Sequence, residues 1–286
     1  MTEDSITLTI DPFLLPTSQH RAGLAGLMVL TDTMRRRGLD PLPEIRLDPD
    51  GRYEIQLTQK SLTAVLNDLY DASQEEQSHK QKLKASGSSE TREPKRTETV
   101  INEKSEKPET LYIYDQPVPQ VPFLQALGIG PSWLKLWRDA IWSTLRGIPK
   151  TRTPFMSRIE GKDVDDAARL WKALTKSQSG GKSVRQQRMD LVGSLLVGAQ
   201  AVHADNVPFQ ASPQEVLLLH FWPVVMGVFV PQILDRDGKT ASAGFALAVP
   251  DVTDYTAFRE DFPEYVAGLE EVAGRFRPPA AYITLP

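Results

Sequence analysis

The chain has 286 residues, 40% of them hydrophobic, which is material for one large domain or two ordinary ones. Cysteine is absent, and this excludes disulfides, thiolate zinc sites and cysteine nucleophiles. The net charge of −4 and a pI of about 5.7 argue against a free-standing nucleic-acid binder, although a whole-chain average can hide a segregated patch.

In chain order, residues 5–11 alternate polar and apolar and predict a strand. Residues 17–37 predict a helix: Leu24, Leu27, Met28 and Met34 keep helical spacing, Arg35, Arg36 and Arg37 sit at its negative end, and Gly38 follows as a C-cap. Ile45 and Leu47 on one arm, and Tyr53, Ile55 and Leu57 on the other, predict a hairpin about the turn Asp48 to Gly51. Ser61 is expected to cap a short helix carrying Leu62, Val65, Leu66 and Leu69. Residues 1–72 thus read as an N-terminal β-α-β-β-α unit.

Residues 73–110 hold eight Lys/Arg, eight Glu and almost no apolar side chains, the composition of a disordered linker or insertion. Residues 111–286 read as an α+β domain. It opens with a strand at 111–115 and a helix starting at Pro131, on which Trp133, Trp137, Ile141 and Leu145 form one stripe. Further helices are expected at 163–177, after the capping box Ser212 to Glu215, and at 255–273, with a buried hairpin over 224–249. The fold class is α+β, mixed sheets with packed helices interrupted by a disordered charged linker, with no recognisable C-terminal helical bundle. No signal peptide is visible, and the apolar stretch 216–230 is shorter than the ~20 residues of a membrane span. A cytoplasmic, membrane-free protein is expected.

Chemistry is scarce. Gly180, Gly181, Lys182 and Ser183 imitate the end of a phosphate-binding loop, but position 176, where that motif needs glycine, is lysine. His20, His79, His203 and His220 show no metal-ligand spacing; His220 reads as a hydrogen-bonded core residue and His20 as part of a helix cap. Ser194 lies outside any nucleophile elbow. Asp163, Asp165 and Asp166 suit a helix start. Neither catalytic residues, nor a metal site, nor a cofactor is expected. One asymmetry stands out: residues 144–188 carry eleven Lys/Arg against four Asp/Glu, a local balance of +7. Such a segment suits a phosphate backbone; the alternative is a solvated face.

Three segments resemble a known family. They are Leu8 to Asp11 running on through Pro16 to Leu27, Gly198 to Gln210, and Leu217 to Pro223 with Phe229 to Gln232. The likeness is to the large subunit of a type I CRISPR surveillance (Cascade) complex, in the Myxococcus-type or cyanobacterial type I-B branch. It implies a non-catalytic subunit beside the crRNA 5′ handle that reads the protospacer-adjacent motif (PAM) in double-stranded target DNA and helps open the duplex. The implied partners are the backbone and handle-capping subunits, the small subunit, and a helicase-nuclease or transposition proteins. A scaffold subunit without direct DNA readout is the alternative.

Under this resemblance, Lys150, Arg152, Arg158, Lys162, Lys182, Arg185 and Arg188 are expected to contact phosphates of DNA or of the crRNA handle. Large subunits of this kind approach the PAM from the minor groove, where amides both donate and accept. The turn stiffened by Pro208 then offers Asn206 first, Gln210 and Gln200 next, and His203 as a neighbour. The alternative is that these amides tie the turn itself.

Overall fold

The computed structural model describes residues 4–83, 90–101, 107–144, 149–178, 187–188, 210–229, 232–234, 240–242 and 246–273. It is mixed α+β, as expected. Strand β1 (Ser5–Ile10) pairs antiparallel with β3 (Tyr53–Thr58), which pairs antiparallel with β2 (Glu44–Leu47), in the order β1-β3-β2. The period-2 pattern does the work: Ile6, Leu8 and Ile10 face inward opposite Leu57, Ile55 and Tyr53, while the threonines between them face water. Gly51 closes the β2–β3 turn at φ +80°, backed by the Asp48 side chain, which accepts from the Asp50 and Arg52 amides.

Helix α1 (Ser18–Arg36) covers this sheet and is buried along most of its length. Thr17 caps it, and His20 joins the cap through a 2.8 Å hydrogen bond between its Nδ1 and Thr17 Oγ1. On its other flank, Gly23 and Gly26 let the backbone of α7 (Pro213–Leu218) and the following 3-10 turn Trp222–Val224 approach closely. A Cβ on Gly26 would lie 2.0 Å from the Phe221 carbonyl oxygen. The first and third of the family-like segments therefore pack against each other.

Helix α2 (Gln59–Leu69) begins one turn earlier than expected. Thr58 is its N-cap and Ser61 closes a reciprocal capping box with it. The core is continuous: residues of β1, α1, β3 and α2 share one cluster with Phe123, Trp137, Phe155, Leu170, Leu217, Trp222 and Val266.

The segment expected to be a disordered linker is different in the structure. Over its described residues it forms β4 (Ala72–His79), β5 (Arg96–Ile101) and the start of β6 (Pro108–Pro119), an antiparallel sheet ordered β4-β6-β5. Composition hid this because charges that suggest a solvated linker are paired on the sheet, both between strands and along β5. Arg96 binds Glu76 and Glu98, and Lys95 binds Glu76 and Asp115. Two stretches of the expected linker, 84–89 and 102–106, lie outside the described residues.

The rest of the described residues are mostly helical. Helices α3 (Pro122–Ala126), α4 (Pro131–Thr144), α5 (Pro149–Ile159) and α6 (Asp165–Gln178) follow the sheet. Short strands β9 (Gly227–Phe229) and β10 (Gln232–Leu234) pair with β12 (Ala246–Ala248) and β11 (Thr240–Ser242), which gives the expected hairpin. Helix α8 (Tyr255–Ala273) ends the described chain.

Candidate nucleic-acid interface

Over its described residues the basic segment folds largely into α5 and α6. Gly161, at φ +71°, makes the turn between them, where only a residue without a Cβ is unstrained. Asn67 of α2 anchors the start of α6, donating to Asp163 Oδ1 at 2.7 Å and accepting from the Val164 amide at 3.0 Å. Inward, Phe155 meets Tyr70 edge-on at 5.1 Å, and Val164, Ala167, Leu170 and Leu174 are buried.

The candidate phosphate ligands divide sharply. Arg152 lies over the Trp142 ring, 4.3 Å from its centroid, and donates to the Trp142 carbonyl at 2.8 Å. Arg158 donates to the Lys162 carbonyl at 2.9 Å across the Gly161 turn. Lys162 is exposed and pairs with Glu160 at 2.8 Å, which pushes its ammonium above the usual lysine range. Lys150 is in α5 and Arg188 in strand β7 (Gln187–Arg188), with only their backbones described. Lys182 and Arg185 lie outside the described residues.

Cations favoured less by the sequence are better presented. Arg169, Lys172 and Lys176 point outward from α6 at i, i+3 and i+7, and Arg169 also holds Asp166 one turn earlier. The signal that could have found them is the helical period of the acids and apolar residues around them.

Of the PAM-reading candidates, Asn206, Gln200 and His203 lie outside the described residues. Gln210 is in strand β8 (Gln210–Ala211), directly opposite Arg188 of β7 in an antiparallel pair. The backbone thus joins one end of the basic segment to one end of the proposed reading turn, two features more than 20 residues apart in sequence. Ser212, next in the chain, caps α7 in a reciprocal box with Glu215, at 3.2 Å and 2.6 Å. Behind it, His220 is buried with its Nδ1 2.6 Å from the Tyr70 hydroxyl, and loss of solvent pushes its imidazole down to about 4. A buried amide escaped notice in the sequence: Gln19, in the first turn of α1, has neither side-chain polar atom hydrogen-bonded among the described residues.

Among the described residues, no group of three or more His, Asp or Glu could hold a metal ion, and no helix is long and apolar enough to cross a membrane. No curated protein matches the chain. The family model described as type I-B CRISPR Cas8b N-terminal domain matches residues 42–286, a span that holds the second and third family-like segments, α5, α6 and the β7–β8 pair. Matched over most of its length, the chain belongs to the Cas8b N-terminal domain family, the large-subunit family of the type I-B CRISPR Cascade complex.

Proposed function

We propose that this chain is the non-catalytic DNA-recognition part of the large subunit, reading the PAM and helping to open double-stranded DNA beside the crRNA 5′ handle, in the cytoplasm. The observation that carries the reading is the β7–β8 pair, with Arg188 opposite Gln210. Antiparallel partners have Cα atoms about 4.5–5.5 Å apart. A phosphate-binding arginine and a groove-reading amide on such a pair can reach one stretch of duplex, the cation fixing register and the amide sampling base edges. Asn206, Gln200 and His203 would complete the reading turn, with Lys150, Lys182 and Arg185 extending the phosphate track. The remaining Cascade subunits, and a helicase-nuclease or transposition proteins, would be its partners.

The test is target binding by the assembled complex on two duplexes differing only in the PAM. Asn206→Ala should cut the discrimination between them by about 1–3 kcal/mol, the usual cost of one mismatched pair, with little change on the non-cognate duplex. Replacing Lys182, Arg185 and Arg188 together by alanine should weaken binding to both duplexes alike. It should also flatten the salt dependence by about 0.9 in log–log slope per lost phosphate contact. Equal losses from Asn206→Ala on both duplexes, or none on either, would remove it as the reader.

The scaffold reading is favoured by one specific observation: Arg152, Arg158 and Lys162 are each engaged within the chain. An unchanged salt slope in the triple variant would select it.

A further inference from the structure

Helix α8 and the β9–β12 pair enclose an apolar groove of about 290 Å³. Its walls are Val225, Val249, Pro250, Phe258, Phe262 and Tyr265. Phe258 and Phe262 stack at 5.2 Å and build its floor, while Tyr265 leaves 52% of its surface in water. A second, narrower cleft adjoins it beneath Trp133 and shares Gly227, Phe262 and Tyr265 with it.

The rim has a charge of one sign. From Pro250 to Leu269 the chain carries five carboxylates and one cation, Arg259. Arg259 is turned away and spent on Asp32 of α1, through paired bonds of 2.8 Å and 2.9 Å. Asp251 is likewise held by Arg21, and Asp254 caps the Ala257 amide. That leaves Glu260, Asp261 and Glu264, all exposed; Asp261 lies in the groove wall and Glu264 adjoins it one turn on, while helical spacing puts Glu260 on the far face of α8. Neighbouring carboxylates repel phosphate, so this face is unsuited to the nucleic acid that α5 and α6 would attract.

We propose that the α8 groove is a docking site for a basic amphipathic segment of another protein subunit. Its apolar anchors enter between Phe258, Phe262 and Tyr265, and its Lys or Arg residues meet Asp261 and Glu264. The fit is the helix-in-groove mode of peptide recognition, in which apolar anchors give affinity and rim charges give orientation and partner choice. The inference needs only that the chain works within a multi-subunit complex and does not depend on which residues read DNA.

A photo-crosslinking residue, p-benzoylphenylalanine, placed at position 265 in the assembled complex tests it. The expected product is a covalent adduct to another protein subunit, mapped by mass spectrometry to a segment of net positive charge with apolar residues at helical spacing. Its yield should fall at least tenfold in the variant combining Asp261→Lys and Glu264→Lys. Both positions are exposed, so the folded circular-dichroism spectrum should be retained. An adduct to nucleic acid, to a second copy of this chain or to its own residues 274–286 would overturn the proposal. So would no adduct, or an undiminished one in the reversed-charge variant.

Discussion

The hydrogen bond between Tyr70 and His220 sets the behaviour of the buried centre. It joins α2 to the turn after α7 across 150 positions of sequence, and the His220 Nε2 has no hydrogen-bond partner among the described residues. The imidazole is therefore kept neutral, with its pKa pushed from 6.5 down to about 4 by burial. In the unfolded chain the same group takes a proton near pH 6.5, so between pH 6.5 and 4 the unfolded state binds more protons than the folded one. Stability contributed here is full above pH 6.5 and is lost as pH falls towards 4, by an order of roughly 3 kcal/mol. Urea unfolding at pH 7.5 and pH 5 should show this decline, and His220→Gln should flatten it while lowering stability at both values. Arg152 makes a second case at this scale. Its guanidinium is occupied by the face and carbonyl of Trp142, so Arg152→Ala should cost about 1–3 kcal/mol in chemical denaturation. The slope of DNA affinity against salt should not move; a flatter slope would return Arg152 to the phosphate track.

Elements whose order is local are the ones legible in the sequence. The α1 boundary at Thr17, the Asp48 to Gly51 turn, the Ser212 capping box and α8 each carry their signal within a few residues, and each is where the sequence places it. Helix α5 was missed because its stretch Pro149–Ile159 contains Thr151, Thr153 and an internal Pro154, and is held by contacts of Phe155 with Tyr70 and Trp142 that no local window contains. The β5 edge was missed for the same reason: Thr97, Thr99 and Val100 favour strands, but only pairing with β6 decides the matter. For the candidate site, the excess of positive charge was legible. Which cations face solvent was not, because that depends on the phase of α6 against α2. The approach of α1 to the turn after α7 gives the prediction at this scale. Gly26→Ala must push apart two backbones, not a flexible side-chain end, since the Phe221 carbonyl lies where the methyl would go. A net loss of about 1–3 kcal/mol or more is expected by calorimetry, although helix propensity alone would give a gain of up to about 1 kcal/mol.

Across the whole molecule, three regions of distinct character are arranged around one continuous core: the cationic outer side of α6, the acid-rimmed groove of α8, and the β4-β6-β5 sheet with its paired charges. The sheet is attached to that core at Ala72 of β4 and otherwise stands outside it. All six residues of β5 are exposed, and Ile113, Tyr114 and Val118, the buried apolar side chains of β6, stand outside the core cluster. Tyr114 is covered by the β4–β5 connection, its hydroxyl accepting from the Leu83 amide and donating to the Arg92 carbonyl. Excision of residues 80–107, with a short Gly/Asn turn closing β4 onto β6, removes that cover and the exposed edge but nothing from the shared core. The calorimetric transition of the full chain should then stay within a few degrees of the parent, since 1 kcal/mol corresponds to about 2–4 °C in a protein of this size. A collapse of the transition would mean that β5 and its connection support the core through Tyr114. An unchanged transition together with lost assembly of the complex would give the sheet its role as a contact arm, with Ile101, exposed at the end of β5, as the first residue to substitute.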